Sequence, residues 1–168
     1  RGAIRPLVVG LQSTPVLALA PIVNIWFGHG WGSKAIMACL IATPAMATIL
    51  MEGFHQEPSK HGHFLRLLGA SRWGKFVTIV LPRSIPAIFS AIEVGAPLAV
   101  LGAIVAEFVG ASAGLGFRIM HSSAYLQTST MFAAVVLATG IGLLLVGITR
   151  FLRHRWSWER YADKRDGG

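Results

Sequence analysis

Four stretches of the chain, 7–27, 34–51, 87–109 and 131–149, are predominantly apolar over about the length a helix needs to cross a hydrocarbon layer. Their strongly polar interruptions, Gln12, Asn24 and Glu93, are isolated. A water-soluble bundle would repeat polar residues at helical period to build a wet face, and these segments do not. The pattern predicts an all-α polytopic membrane domain spanning 1–168. Residues 52–86 form its central loop and 150–168 its tail.

The central loop is rich in helix punctuation. A short helix around His61 to Leu68 is expected to end at Gly69, where the missing Cβ permits a left-handed cap. Ser71 then caps a second helix, Arg72 to Val80, with Trp73, Phe76, Val77 and Val80 on its apolar side. Pro82 is expected to stop that helix, and Pro86 suits the first turn of the third crossing. The result is a helical hairpin on the membrane surface, offering Leu65, Leu67 and Leu68 to a partner.

Composition supports the membrane class: 54% of the 168 residues are hydrophobic, 13% are charged and the mean hydropathy is +0.61. A net charge of +8 would suit a nucleic-acid binder. The positions of the charges argue otherwise. Of fifteen Lys and Arg residues, only Lys34 and Arg118 fall in the loops on one side, and the other thirteen fall on the opposite side. Basic loops stay in the cytoplasm, so the N-terminus of this chain, the central loop and the tail are predicted inside, with no call for nucleic acid. The tail RFLRHRWSWERYADKR mixes arginine with tryptophan, as expected where a helix meets the lipid of an anionic leaflet. Cys39 has no partner for an intrachain disulfide.

Small residues recur every fourth position at Ala91, Gly95, Ala99 and Ala103, and again at Ala134, Ala138 and Gly142, which predicts close helix packing within the subunit. Asn24, Glu93 and Glu107 are the candidates for lining a path through the bilayer. An ionisable group in a crossing is costly unless it meets water or a counter-charge, so Glu93 either lines a pathway or pairs structurally. If it lines the path, its charge would disfavour an anionic solute and hint at a neutral or cationic one. GASAGLGF, Gly110 to Phe117, lacks the Gly-Lys-Ser/Thr of a phosphate cradle and reads as a turn. His55, His61 and His63 have neither a nearby cysteine nor zincin spacing, so no metal site is expected. Ser112 and Ser122 lack the sequence context of a catalytic triad, and no enzyme signature is found.

At HFLRLLGAS, His63 to Ser71, and LPRSIP, Leu81 to Pro86, the chain resembles the membrane-spanning subunits of bacterial ATP-binding-cassette importers. Their cytoplasmic signature reads E-A-A-x-x-x-G-A-S, a hydrophobic stretch, then L-P-x-x-x-P. Here His63, Phe64 and Leu65 replace the E-A-A portion. PVLALAPIVNIWFGHGWGSK, Pro15 to Lys34, and EFVGASAGLGFRI, Glu107 to Ile119, are similar to segments of the nitrate, sulfonate and taurine branch. The resemblance implies a type I importer fold in the bacterial inner membrane, corresponding to the C-terminal two-thirds of a subunit whose N-terminal helices lie outside this sequence. It further implies that His63, Phe64, Leu65, Arg66, Leu68, Gly69, Ala70 and Ser71 dock a separate ATPase subunit, which holds ATP and Mg. A second permease copy and an extracytoplasmic binding protein, facing the outer turn and the 110–116 loop, complete the implied assembly. Implied cargo is a small solute of the nitrate, sulfonate, taurine, pyrimidine or flavin-precursor class. A non-transporting scaffold on a similar bundle and an intramembrane enzyme are the competing readings.

Overall fold

A computed structural model describes residues 10, 15–54, 72–75, 77 and 80–156. The described elements are helices: α1 (Val16–Phe27), α2 (Trp31–Phe54), a single turn α3 (Arg72–Lys75), α4 (Leu81–Phe108), α5 (Leu115–Ala124) and α6 (Thr128–Trp156). Among the described residues, three helices are long and apolar enough to cross a membrane: α2, α4 and α6. The described helical part of the first expected crossing is the 12-residue α1, about 18 Å long and short of a full span. Residues 7–9 and 11–14 lie outside the described set, as do 55–71, which hold the docking candidates His63 to Ser71 and the histidine cluster.

The long helices overrun the hydropathy boundaries. Instead of starting at 87, α4 starts at Leu81, with Pro82 in its first turn and Pro86 and Pro97 inside it. Pro82 therefore opens this helix. Proline fits there because first-turn N–H groups have no partner within the helix. The Ser84 hydroxyl, buried at the same end, donates to the Val80 carbonyl at 2.7 Å. α6 runs past 149 to Trp156, and Arg153, His154 and Arg155 occupy its last turn. Cations there complement the negative end of the helix dipole, so a basic segment read as tail continues the helix.

α2 and α4 form the most extensive contact in the chain. Two glycines of α4 set its closeness: a Cβ on Gly102 would strike the backbone of Met37 and Ala38, and one on Gly95 would strike the Met46 side chain. The buried seam runs through Ala91, Gly95, Gly102, Val105 and Ala106. A strict four-residue stripe rotates about 40° per step around a helix turning 100° per residue, so it leaves the interface within three steps. Mixed steps of three and four hold the seam in place, which brings in Gly102 where the four-residue spacing pointed to Ala103.

On α6, Ala134, Ala138, Gly142 and Thr149 face inward, while Phe132, Val136, Leu137, Leu143, Leu144 and Phe151 stand exposed. With three sides turned away from the protein, that helix has the face of a lipid-exposed span. The apolar core, Ala20, Val23, Met37, Val105 and Ala106, joins α1, α2 and the C-terminal end of α4.

The loop after α4 contains a helix that the glycine-rich reading did not foresee. α5 follows Gly114, whose φ of +123° favours glycine, and buries Gly116 and Ser122 against its neighbours. It ends with Leu126 in the left-handed region, φ +55°. The Gln127 N–H bonds the Ser122 carbonyl at 2.8 Å and the Leu126 N–H bonds that of Ser123 at 3.1 Å. This paired return closes the helix end and starts α6 directly afterwards.

Gly102→Val is expected to lower the melting temperature of the detergent-solubilised full-length subunit, by the equivalent of about 1–3 kcal/mol for overpacking against backbone. Gly140→Val, where an added Cβ meets nothing within 4 Å, serves as the control. Equal melting of the two variants, followed by fluorescence-detected size exclusion, would refute the Gly102 seam.

Candidate functional site

The polar candidates do not gather into one site. The structure separates them into a knot where α4 meets α5 and another towards the C-terminal end of α6.

The first knot centres on Glu107 in the last turn of α4. The Lys34 ammonium, on α2, donates to Glu107 Oε1 at 2.6 Å, and the Gly116 N–H, on α5, donates to Oε2 at 2.8 Å. The Glu107 side chain is 11% exposed, and the Lys34 ammonium also lies 5.8 Å from the centre of the Trp31 ring. One carboxylate thereby ties three helices together. Charge-assisted bonds of this kind are short and stronger than neutral ones, and partial burial shields them from solvent. A Cβ on Gly114 or Gly116 would strike the Glu107 side chain, so these glycines let the loop close over it.

Asn24, 3% exposed, completes this end. Its amide nitrogen donates to the carbonyls of Ala106 at 3.0 Å and Val109 at 2.6 Å. The last carbonyls of a helix have no partner within it, so Asn24 acts as a cap from a neighbouring helix. The two acceptors also fix the amide's orientation, leaving Oδ1 without a partner among the described residues. Where the sequence alone offered Asn24 and Glu107 as lining for a path, the structure places both in bonds that fix the end of α4. Lys34, which sequence reasoning used only for counting charges, is the missed member of this knot. Nothing in a single chain ties position 34 to position 107.

In the second knot, Glu93 of α4 pairs with the Arg150 guanidinium, and Arg153 lies 3.5 Å from its other oxygen. Glu93 is 15% exposed, whereas Arg150 and Arg153 are 69% and 45% exposed. The carboxylate borders a groove of about 610 Å³ between α4 and α6, lined also by Ser90, Val94, Pro97, Leu98 and Val146. Of the two readings open for Glu93, pairing is therefore present in the structure, beside a groove. Two guanidiniums face one carboxylate. The repulsion of anions expected of Glu93 on a path is thus countered here by two cationic partners.

Residues 1–158 match the family of binding-protein-dependent transport system inner membrane components. The chain is 33% identical over 153 residues to a "Probable ABC transporter permease protein" of Haemophilus influenzae, covering 91% of this chain and 62% of that protein. It is 31% identical over 157 residues to the riboflavin transport system permease protein of Chloroflexus aurantiacus, covering 92% and 59%. Against the formylaminopyrimidine transport permease protein of Halalkalibacterium halodurans it is 29% identical over 142 residues, covering 84% and 57%. The chain thus spans about three-fifths of the length of these relatives.

Asn24→Asp is expected to be the most damaging near-isosteric change at the first knot, because it turns a carboxylate towards two carbonyls and removes their donor. A loss of about 2–4 kcal/mol is expected, against about 1–2 for Asn24→Ala, read by thermal size exclusion of the full-length subunit. Wild-type melting of Asn24→Asp would remove Asn24 from the cap. With apolar helices of crossing length, helix ends tied by buried polar bonds and a match over nearly its whole length, this chain belongs to the family of binding-protein-dependent transport system inner membrane components.

Proposed function

We propose that the chain is the major part of the membrane-spanning subunit of an ATP-driven importer for a small solute. The observation that carries the reading is the family match over residues 1–158, which takes in the central loop and every described crossing. The relatives' names add support: they include permeases for riboflavin and formylaminopyrimidine. The proposed cargo is accordingly a small organic solute, of the flavin- or pyrimidine-precursor class or the sulfonate and taurine class.

In this proposal His63 to Ser71 dock a separate ATPase that holds ATP and Mg, and this chain hydrolyses nothing itself. The docking loop leads into Leu81, the start of α4, so a push on the loop acts directly on the helix most extensively packed among the described elements. Two packings of such a helix, biased by nucleotide, are sufficient for alternating access. The path is proposed to follow the Glu93 face of α4 beside the groove, with Asn24 and Glu107 fixing its outer end. A second permease copy, an extracytoplasmic binding protein and surrounding lipid complete the assembly. The basic ends of the chain face the cytoplasm, as the charge asymmetry supports.

Pull-down of the full-length detergent-solubilised subunit, with an ATPase assay on the complex, tests the coupling. Wild type is expected to retain an ATPase, and Gly69→Val to lose it while inserting normally, since valine resists the left-handed cap expected at that position. Normal ATPase recovery with Gly69→Val would overturn the docking assignment. Recovery of no ATPase from the folded wild type would favour the scaffold reading.

A further inference from the structure

A polar cleft of about 350 Å³ lies between α5 and the start of α6, bordering the Glu107 knot at Gly114. Its walls include Ser112, Arg118, His121, Ser122, Gln127 and Thr130. We propose that this cleft is a binding site for one oxyanion group: a carboxylate, sulfonate or phosphate.

Four observations converge on that chemistry. The first is charge. Arg118 is exposed and has no ion pair among the described residues, whereas Lys34, the other basic residue of the outer loops, is held by Glu107. No carboxylate lines the cleft. The nearest, Glu107, packs against Gly114 at the cleft's edge with its charge met by Lys34 and its second oxygen by the Gly116 N–H.

The second is the floor. Ser122 is 3% exposed and lines the cleft, and its hydroxyl has no hydrogen-bond partner among the described residues. The hydroxyl is not sealed off in the interior but reaches the cleft, since Asn24 Oδ1 is the fully buried side-chain atom left without a partner among the described residues. A serine on a helix can usually satisfy itself through the carbonyl four residues back, as Thr139 and Thr149 do on α6. Ser122 instead remains available as a donor at the bottom of a donor-lined cleft.

The third is the backbone. Gln127, the residue immediately before α6, contributes to the wall, so the N-terminus of that helix borders the cleft. The dipole at that helix start favours negative charge. The α5 start, by contrast, is already met by Glu107 through the Gly116 N–H.

The fourth is shape. His121 lies between Phe117 and Tyr125, with ring centroids 5.3 and 4.6 Å away, so its imidazole is laterally confined. Phe117 also lines the cleft. A planar or tetrahedral oxyanion can accept from the Arg118 fork while the Ser122 hydroxyl meets another of its oxygens.

Two sources of the same group are compatible with the cleft: a free oxyanion solute, or a side-chain carboxylate on a protein docked at this end. The site does not depend on the importer reading. Only its placement on the outer side of the membrane rests on the proposed orientation, which sided thiol labelling of Ser112→Cys tests separately.

The experiment is ring NMR of histidine-labelled full-length subunit in lipid nanodiscs, with the His121 signal assigned by its loss in His121→Gln. At constant ionic strength the protein is titrated with methanesulfonate, representing a free solute, and with N-acetyl-glutamate amide, representing a side-chain carboxylate. A saturable His121 shift is expected with at least one. Arg118→Gln should weaken the affinity tenfold or more, Arg118→Lys should recover part of it, and Ser122→Ala should weaken it about threefold, all at wild-type melting temperature. The probe that binds more tightly names the source. Absence of a saturable shift with both probes, or undiminished affinity in folded Arg118→Gln, would overturn the site.

Discussion

The end of the bundle where α4 meets α5 depends on satisfying polar groups that burial removes from water. In hydrocarbon, a carboxylate or a helix-terminal carbonyl cannot fall back on water, so each must find its partner within the protein. Glu107 meets this requirement with a cation from α2 and an N–H from α5. Asn24, from α1, serves two carbonyls at the end of α4. Together these bonds join α1, α2, α4 and α5 at one level, just where the apolar core of Ala20, Val23, Met37, Val105 and Ala106 lies. Polar satisfaction and apolar packing thus reinforce one another.

From that anchored end, α4 runs back through the glycine seam against α2 to Leu81, where the central loop delivers the chain. Its length, 28 residues or about 42 Å, exceeds a hydrocarbon core of about 30 Å. In the proposed coupling, force applied at the loop would reach a helix whose far end is tied to α1, α2 and α5. Glu93, with Arg150 and Arg153, cross-ties α4 to the basic end of α6 partway along. The proposed transport cycle needs this helix to hold more than one packing. The groove beside Glu93 lies where α4 and α6 leave space between them.

The centres of the long crossings were legible because apolar length is a local property read directly from composition. Their ends were not. A helix continues beyond the hydrocarbon wherever its backbone can, and hydropathy is silent about Leu81 to Pro86 or Arg150 to Trp156. The glycine-rich run around 110–116 masked α5, whose start depends on Gly114 closing over Glu107. Small-residue spacing located the right helices but selected Ala103, since a fixed step of four ignores the rotation that carries it off the interface. The candidate docking residues His63 to Ser71 rest on their motif and lie outside the described structure.

By itself the sequence determined the all-helical membrane class, the candidate polar residues and the separation of basic from nearly uncharged loops, since each follows from local residue chemistry. Tertiary structure decided what those polar residues do. Lys34 and Glu107 are 73 positions apart, and Glu93 and Arg150 are 57 apart. Pairing across such separations is set by how the helices pack, so an isolated acid in an apolar run identifies a cost that must be met without naming the residue that meets it. The same holds for the Arg118 and Ser122 cleft, whose walls come from two helices and the loops before them.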